Sequence, residues 1–167
     1  GTVMIEFEKI CQEKDPAMVV VVGDVNSTVA CTIVCAKMGI PCAHVEAGLR
    51  SFDRDMPEEI NRILTDAVAD LLLTPSPDGD EHLCAEGIAK ERIIRVGNVM
   101  IDSLYNNLVK AESSSIQTDL GLETNYSILT LHRPSNVDDP TVFAGIISAL
   151  EAIGEKIQIV FPMHPRT

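Results

Sequence analysis

The sequence predicts an α/β protein built on parallel β-sheets. Short apolar runs alternate along the chain with segments in which apolar residues recur at helical spacing, an order typical of right-handed βαβ units. The first apolar run is almost pure valine, which fits a strand buried on both faces of a parallel sheet. We therefore expect parallel sheets with helices on both faces.

The predicted strands are short apolar runs that end at a glycine, a proline or a polar residue. They cover residues 18–22, 41–45, 71–73, 93–96, 128–131 and 157–161. The predicted helices are the opening segment through Cys11, the segment that closes at Gly39, and residues 57–70, 78–86, 100–112 and 140–153.

A polar, serine-containing stretch divides the chain into two predicted domains. We expect a partial N-terminal Rossmann-like domain over 1–113, a linker over 114–125, and the start of a second Rossmann-like domain, incomplete, over 126–167. The chain opens inside a helical pattern and closes just after a strand, so we expect that both ends are cut from a longer chain.

Composition excludes several classes of partner. The net charge of −12 disfavours nucleic acid, whose binding requires clustered Lys and Arg. No apolar run reaches the roughly 18 to 20 residues that span a bilayer, so no membrane partner is expected. The five cysteines, an odd number in mostly apolar segments, favour reduced thiols in the cytoplasm. No dinucleotide fingerprint, P-loop or metal-ligand cluster occurs, so we expect no cofactor and no metal.

Chemically active side chains follow the predicted strands. Ligands of open α/β sheets bind beyond the carboxyl ends of the strands, so we expect an acid-rich catalytic cleft between the two domains. The side chains at these ends include Asp24, Glu46, His132, Arg133, His164 and Arg166.

Structural alternatives stay open for these residues. Asp24 would also suit a cap of the following helix, and Glu58 fits a capping box with Asp55. His132, His164 and Arg166 are also compatible with plain surface positions, and His82, in a polar helix, is expected to be solvated. The residues alone do not identify a substrate.

Six motifs occur in an order that resembles one enzyme family over essentially the whole chain. It resembles the bacterial and archaeal non-hydrolysing UDP-N-acetylglucosamine 2-epimerases. The motifs are VVVGDVNST at 20–28, HVEAGLR at 44–50, MPEEINR at 56–62, VGNVMID at 96–102, LHRPSNVD at 131–138 and FPMHPR at 161–166.

The resemblance implies a GT-B-like architecture of two Rossmann-like domains and the interconversion of UDP-GlcNAc and UDP-ManNAc. The reaction would eliminate UDP to give 2-acetamidoglucal and then add it back, without metal or NAD, in a homodimer of the full-length protein. Asp24, Glu46, Glu58 and His132 would be catalytic, with His132 near the diphosphate, and Arg133, His164 and Arg166 would bind substrate. Which carboxylate is base and which is acid stays open, and crowding should raise the pKa of at least one.

The chain also departs from the family pattern. Many members have Gly-Asp-Thr-Thr-Thr-Thr where this chain has residues 23–28, and the family's Gly-Thr-Arg-Pro-Glu and Asp-Ser-Gly-Gly segments do not occur. Because the second of these holds the diphosphate, we expect weakened nucleotide contacts in the chain alone. A hydrolysing 2-epimerase, which releases UDP and free ManNAc, and an inactive fragment are the alternatives.

Overall fold

The computed structural model describes residues 1–122, 124–163 and 165, so His164 and Arg166 lie outside the described residues. The chain divides into two compact units, Gly1–Asn107 and Leu108–Thr167. Helix α5 (Val99–Glu112) runs through the division, and the segment predicted as a linker contains a short helix, α6 (Ile116–Asp119).

Unit 1 is a parallel α/β unit. Its strands are β1 (Val19–Val22), β2 (Cys42–Val45), β3 (Leu71–Thr74) and β4 (Ile93–Arg95). Its helices before α5 are α1 (Thr2–Lys14), α2 (Asn26–Met38), α3 (Pro57–Val68) and α4 (Pro77–Ala85), and a 3-10 turn, Lys90–Arg92, precedes β4. These elements confirm the predicted α/β class with parallel sheets.

The sheet has the order β1-β2-β3-β4, and every neighbouring pair is parallel. Each new strand is added on the same side of the previous one, and parallel strands are joined by right-handed crossovers. Helices α2, α3 and α4 therefore lie on the same face of the sheet. The four carboxyl ends therefore meet at one edge, immediately beside the loops that begin α2, α3 and α4. This edge is where the candidate acids of unit 1 lie.

The expected burial of the whole valine run is wrong for this chain. Val21 is 7% exposed, whereas Val20 and Val22 on the opposite face are 59% and 55% exposed. Alternate side chains of a strand point to opposite faces, and the described helices that connect the strands, α2, α3 and α4, lie on one of them.

The core lies between the sheet and its helices. One buried cluster joins Ala47, Ala69, Leu72 and Leu83, and a second joins Val21, Cys35 and Cys42. All five cysteines are free, and burial raises the pKa of the Cys35 thiol to about 12. Helix α2 ends at Gly39, which takes a left-handed conformation with φ +71° and donates its N–H to Cys35 O.

Unit 2 contains β5 (Tyr126–Ile128), α7 (Pro134–Val137), α8 (Pro140–Gly154) and β6 (Gln158–Val160) as well as α6. Strands β5 and β6 are parallel, and α7 packs against α8. Strand β5 begins two residues earlier than the predicted 128–131, because its pairing with β6 fixes its ends. Asp139 caps α8 by accepting the N–H groups of Thr141 and Val142. No helix of the described residues is long and apolar enough to cross a membrane.

Candidate active site

Asp24 follows β1 and is held by Arg62 of helix α3. Nε and Nη2 of Arg62 donate to Asp24 Oδ2 at 2.9 and 2.6 Å, and the Asp24 side chain is 32% exposed. Asn61 Nδ2 also donates to the Asp24 carbonyl oxygen at 2.8 Å. The capping alternative for Asp24 is wrong, because Val25 is the N-cap of α2 and no side chain caps that helix.

Glu46 follows β2 in a strained backbone conformation. Its φ is +72°, a left-handed value that costs a residue other than glycine about 1–3 kcal/mol. Its carboxylate lies over Gly23, since a Cβ atom placed on Gly23 would be 3.6 Å from Glu46 Oε2. Val22 pairs with Val45 in the sheet, so Asp24 and Glu46 follow strand ends that are directly adjacent.

Glu58 lies in the first turn of α3 and is exposed. The predicted capping box of Asp55 and Glu58 is wrong, because the N-cap of α3 is Met56 and carries no side-chain cap. Pro57 occupies the first helical turn and shifts the helix start by one residue. Glu58 is four residues before Arg62, so the two residues lie on the same side of the helix.

Glu59, the next residue, is buried and holds the loop after β2. Its Oε2 accepts Ser51 N–H at 2.8 Å and Arg62 Nη1 at 3.1 Å, and its Oε1 accepts Phe52 N–H at 3.0 Å. Burial acts to raise the pKa of Glu59, but these hydrogen bonds outweigh it and lower the pKa below the ordinary value. Glu59 therefore remains ionised and binds the same Arg62 guanidinium that holds Asp24.

A second buried carboxylate, Asp66, lies two turns further along α3. Its Oδ1 is 2.6 Å from His44 Nδ1, and its Oδ2 accepts Gly48 N–H at 3.0 Å and Arg50 Nη1 at 2.8 Å. Arg50 also donates to both carboxylate oxygens of Glu86 at 2.7 Å. Burial acts to lower the pKa of Arg50, but Glu86 and Asp66 raise it overall, so the guanidinium stays charged.

The turn after Glu46 packs closely on helix α4. Gly48 has φ +80°, and a Cβ atom there would lie 2.4 Å from Gly79 O, so only glycine fits. His82 donates from Nδ1 to Gly48 O at 2.9 Å, and its ring meets Phe52 edge-on with 5.1 Å between ring centroids. The expectation that His82 is a solvated surface residue is therefore wrong, because this contact half-buries it.

The remaining candidates belong to unit 2. His132 and Arg133 are exposed and follow β5, and Arg133 is the N-cap of α7. His164 and Arg166, the other predicted substrate-binding residues, lie outside the described residues. Within unit 1 the structure places Asp24, Glu46 and Glu58 at the same edge of the sheet.

Four supporting residues on helix α3 were not predicted from the sequence. Most of them are charged residues that recur at helical spacing on α3. This spacing could have indicated that they share one side of the helix. These residues are Glu59, Asn61, Arg62 and Asp66. Within residues 1–122, 124–163 and 165, no group of three or more His, Cys, Asp or Glu side chains is arranged to hold a metal ion.

The fold and the site together define a class of protein, an α/β protein with carboxylates gathered at the carboxyl edge of a parallel sheet. A family model described as UDP-N-acetylglucosamine 2-epimerase matches residues 1–167. The chain belongs to the UDP-N-acetylglucosamine 2-epimerase family, which confirms the resemblance found in the motifs.

Individual relatives agree with this family. The chain is 41% identical over 173 residues to the UDP-N-acetylglucosamine 2-epimerase of Methanocaldococcus jannaschii, covering 100% of this chain and 47% of that protein. It is also 41% identical over 170 residues to the UDP-2,3-diacetamido-2,3-dideoxy-D-glucuronate 2-epimerase of Pseudomonas aeruginosa, with the same coverage. The chain spans about half the length of the curated relatives it matches.

A solved structure supports the same assignment. The crystal structure of the Methanocaldococcus jannaschii UDP-GlcNAc 2-epimerase in complex with UDP-GlcNAc and UDP superposes with a TM-score of 0.88 at 42% identity. The superposition covers 99% of this chain and 47% of that chain. The GT-B-like class predicted from the resemblance is thereby confirmed.

Proposed function

We propose that the protein carrying this chain interconverts UDP-GlcNAc and UDP-ManNAc without hydrolysis. The observation that carries the proposal is that Asp24 and Glu46 follow adjacent strand ends, with Glu58 in the first turn of α3. The relative from Methanocaldococcus jannaschii that is named UDP-N-acetylglucosamine 2-epimerase is similar over the whole chain.

The reaction explains why carboxylates are needed. The C2 proton of the sugar is not adjacent to a carbonyl group, so its direct removal is very costly. In the proposed route a base takes the C2 proton, a C1–C2 double bond forms, and the C1–O bond to the diphosphate breaks. An acid then returns a proton to the opposite face of C2 while a diphosphate oxygen re-forms the bond to C1. Atoms and electrons balance without a redox cofactor or a metal.

The three acids of unit 1 supply the proton transfers in this proposal. Arg62 fixes Asp24 with two hydrogen bonds, and the backbone of Glu46 is restrained in its left-handed conformation. Rigid placement of this kind lowers the barrier, because a misplacement of about 1 Å can cost roughly 100-fold in rate.

Residues of unit 2 complete the proposal. His132 would stabilise the departing diphosphate, and Arg133, His164 and Arg166 would bind substrate, as the resemblance implies. The exposed positions of His132 and Arg133 after β5 support this assignment, since ligands of parallel sheets bind at such ends. We also propose a homodimer in the cytoplasm, and the five free thiols support that compartment.

Proton NMR of UDP-GlcNAc in D2O tests the activity. The full-length natural protein that carries this sequence, and the 167-residue chain beside it, are each incubated with the nucleotide sugar. We expect the full-length protein to form UDP-ManNAc with deuterium at C2. Free ManNAc and UDP would instead identify the hydrolysing reaction. Because a relative of equal identity acts on UDP-2,3-diacetamido-2,3-dideoxy-D-glucuronate, that sugar is assayed in parallel.

A matched pair of variants tests the site. Glu46→Gln keeps the size of the side chain but removes its proton-accepting charge, so turnover should fall by about 100-fold or more. Glu91→Gln makes the same change at an exposed position in the 3-10 turn before β4 and should leave turnover unaltered. Equal turnover in the two variants would remove Glu46 from the mechanism.

A further inference from the structure

A buried histidine joins the two strand ends that carry Asp24 and Glu46. The His44 side chain is fully buried, with Nε2 2.9 Å from Gly23 O and Nδ1 2.6 Å from Asp66 Oδ1. A carbonyl oxygen can only accept a hydrogen bond, so Nε2 must carry a proton.

The second ring nitrogen faces the Asp66 carboxylate. Asp66 Oδ2 already accepts from Gly48 N–H and from the Arg50 guanidinium, which makes Asp66 an ionised acceptor. Its Oδ1 lies 2.6 Å from His44 Nδ1, so the same carboxylate also contacts the ring. Arg50 pairs with both Asp66 and Glu86 beside this contact. Such pairing is what permits charged groups in a buried position.

We propose that Asp66 and His44 are positioning residues that fix Asp24 against Glu46. The inference rests on the proposed epimerase function. His44 holds the carbonyl of the peptide group that joins Gly23 to Asp24 and so sets the direction in which Asp24 leaves β1. Asp66 holds the N–H of Gly48, two residues after Glu46, and so restrains the left-handed turn at Glu46.

Helix α3 thus reaches both strand ends through a single carboxylate. Asp66 acts on Asp24 through His44 and on Glu46 through Gly48, and it is itself buried. Its removal should disturb the relative placement of the two acids more than the binding of the nucleotide. The expected result is therefore a loss in kcat with little change in KM.

The chain offers a matched control in Asp70, just after the end of α3. Asp70 Oδ2 accepts Cys42 N–H at 2.8 Å, so it also ties the α3 region to β2. That contact lies at the amino end of β2, the end away from the candidate acids. Asp66→Asn and Asp70→Asn therefore both remove a carboxylate that anchors β2, and only the first faces the site.

The first test is nitrogen NMR of the full-length natural protein with 15N-labelled histidine at neutral pH. We expect a protonated Nε2 for His44, the signal being identified by its loss in His44→Gln, because Gly23 O can only accept a hydrogen bond. A His44 ring without a proton on Nε2 would overturn the inference. This readout does not depend on turnover, so it is separate from failure of the proposed function.

The second test is steady-state kinetics with UDP-GlcNAc. Asp66→Asn should lower kcat by about tenfold or more with KM changed by less than about threefold, whereas Asp70→Asn should keep kcat within about twofold. Equal losses of kcat in both variants, or an unchanged kcat in Asp66→Asn, would overturn the inference.

Substitutions of His44 provide a comparison that does not rely on Asp66→Asn folding. The amide nitrogen of Gln matches Nε2 and preserves the donor to Gly23 O, while that of Asn matches Nδ1 and faces Asp66. Because the peptide before Asp24 is the group that must be fixed, His44→Gln should retain a higher kcat than His44→Asn. The reverse order would contradict the positioning role.

Discussion

Replacement of Glu59 by Gln measures how strongly the loop after β2 is anchored. The Glu59 carboxylate is 1% exposed and accepts hydrogen bonds from two backbone N–H groups, from Ser51 Oγ and from Arg62. Gln replaces one of the two acceptor oxygens by an NH2 donor. At least one buried donor then faces another donor instead of an acceptor.

The cost follows from the number of bonds lost. An unpaired buried donor costs about 1–3 kcal/mol, and the remaining bonds lose the extra strength that a charged acceptor gives. We therefore expect Glu59→Gln to lower the free energy of unfolding by about 2–4 kcal/mol. For a chain of this size, that corresponds to a fall in Tm of roughly 10 °C.

The pH dependence has a defined sign. The pKa of Glu59 is lower in the folded state than its ordinary value of 4.5, so its contribution is fully present above that value and is lost as the pH falls through the folded pKa. Gln does not titrate. The difference in stability between the wild type and Glu59→Gln should therefore be largest at neutral pH and shrink below about 4.5.

Urea denaturation followed by far-UV circular dichroism is the suitable assay, because the chain contains no Trp. The matched control is Glu58→Gln, the same change at the preceding, exposed residue, which should leave the free energy of unfolding within about 0.5 kcal/mol of the wild type. The reasoning is refuted if both variants are equally stable at pH 7, or if the Glu59→Gln difference persists undiminished to pH 3.

Three further outcomes are expected. Gly48→Ala should lower the free energy of unfolding by more than about 3 kcal/mol, because the added Cβ would clash with the Gly79 backbone. Gly39→Ala should lower it by only about 1 kcal/mol, because Gly39 has a positive φ but open space around it. Urea denaturation measures both values. Arg62→Lys cannot reproduce both bonds to its carboxylate partner, so kcat should fall about tenfold without loss of secondary structure in circular dichroism. At pH 8 iodoacetamide should modify exposed Cys84 before buried Cys35, whose pKa is about 12, as mass spectrometry of the peptides would show.

The fold class could be predicted because it depends on local patterns. Apolar runs that stop at Gly23 or before Pro75 identified β1 and β3 to within one residue, and the order of strands and helices then fixed the parallel sheet. Because the carboxyl ends of parallel strands lie at one edge of the sheet, the same strand order predicted that Asp24 and Glu46 lie at that edge. The burial of both faces could not be predicted from the valines, because burial depends on what covers the sheet.

The partners of the acids could not be predicted, because they depend on long-range register. Arg62 is 38 residues from Asp24, and Asp66 is 22 residues from His44. Helical spacing shows that such residues share a face of α3, but not which strand end that face meets. The predicted capping box of Asp55 and Glu58 failed for a more local reason. Helix α3 begins at Pro57, so its N-cap is Met56, one residue after the predicted Asp55.

Helix α3 explains how a site spread over two strands can remain precise. Glu59, Arg62 and Asp66 lie at i, i+3 and i+7, on one face over about 10 Å of helix, which exceeds the roughly 4.8 Å between adjacent strands. One rigid element can therefore hold the ends of β1 and β2 together. A small displacement of α3 would carry both strand ends with it and preserve the distance between Asp24 and Glu46. Loss of one of these contacts would release one strand end and change that distance. We therefore expect a substitution on α3 that removes such a contact to lower kcat more than an equally destabilising substitution elsewhere in unit 1.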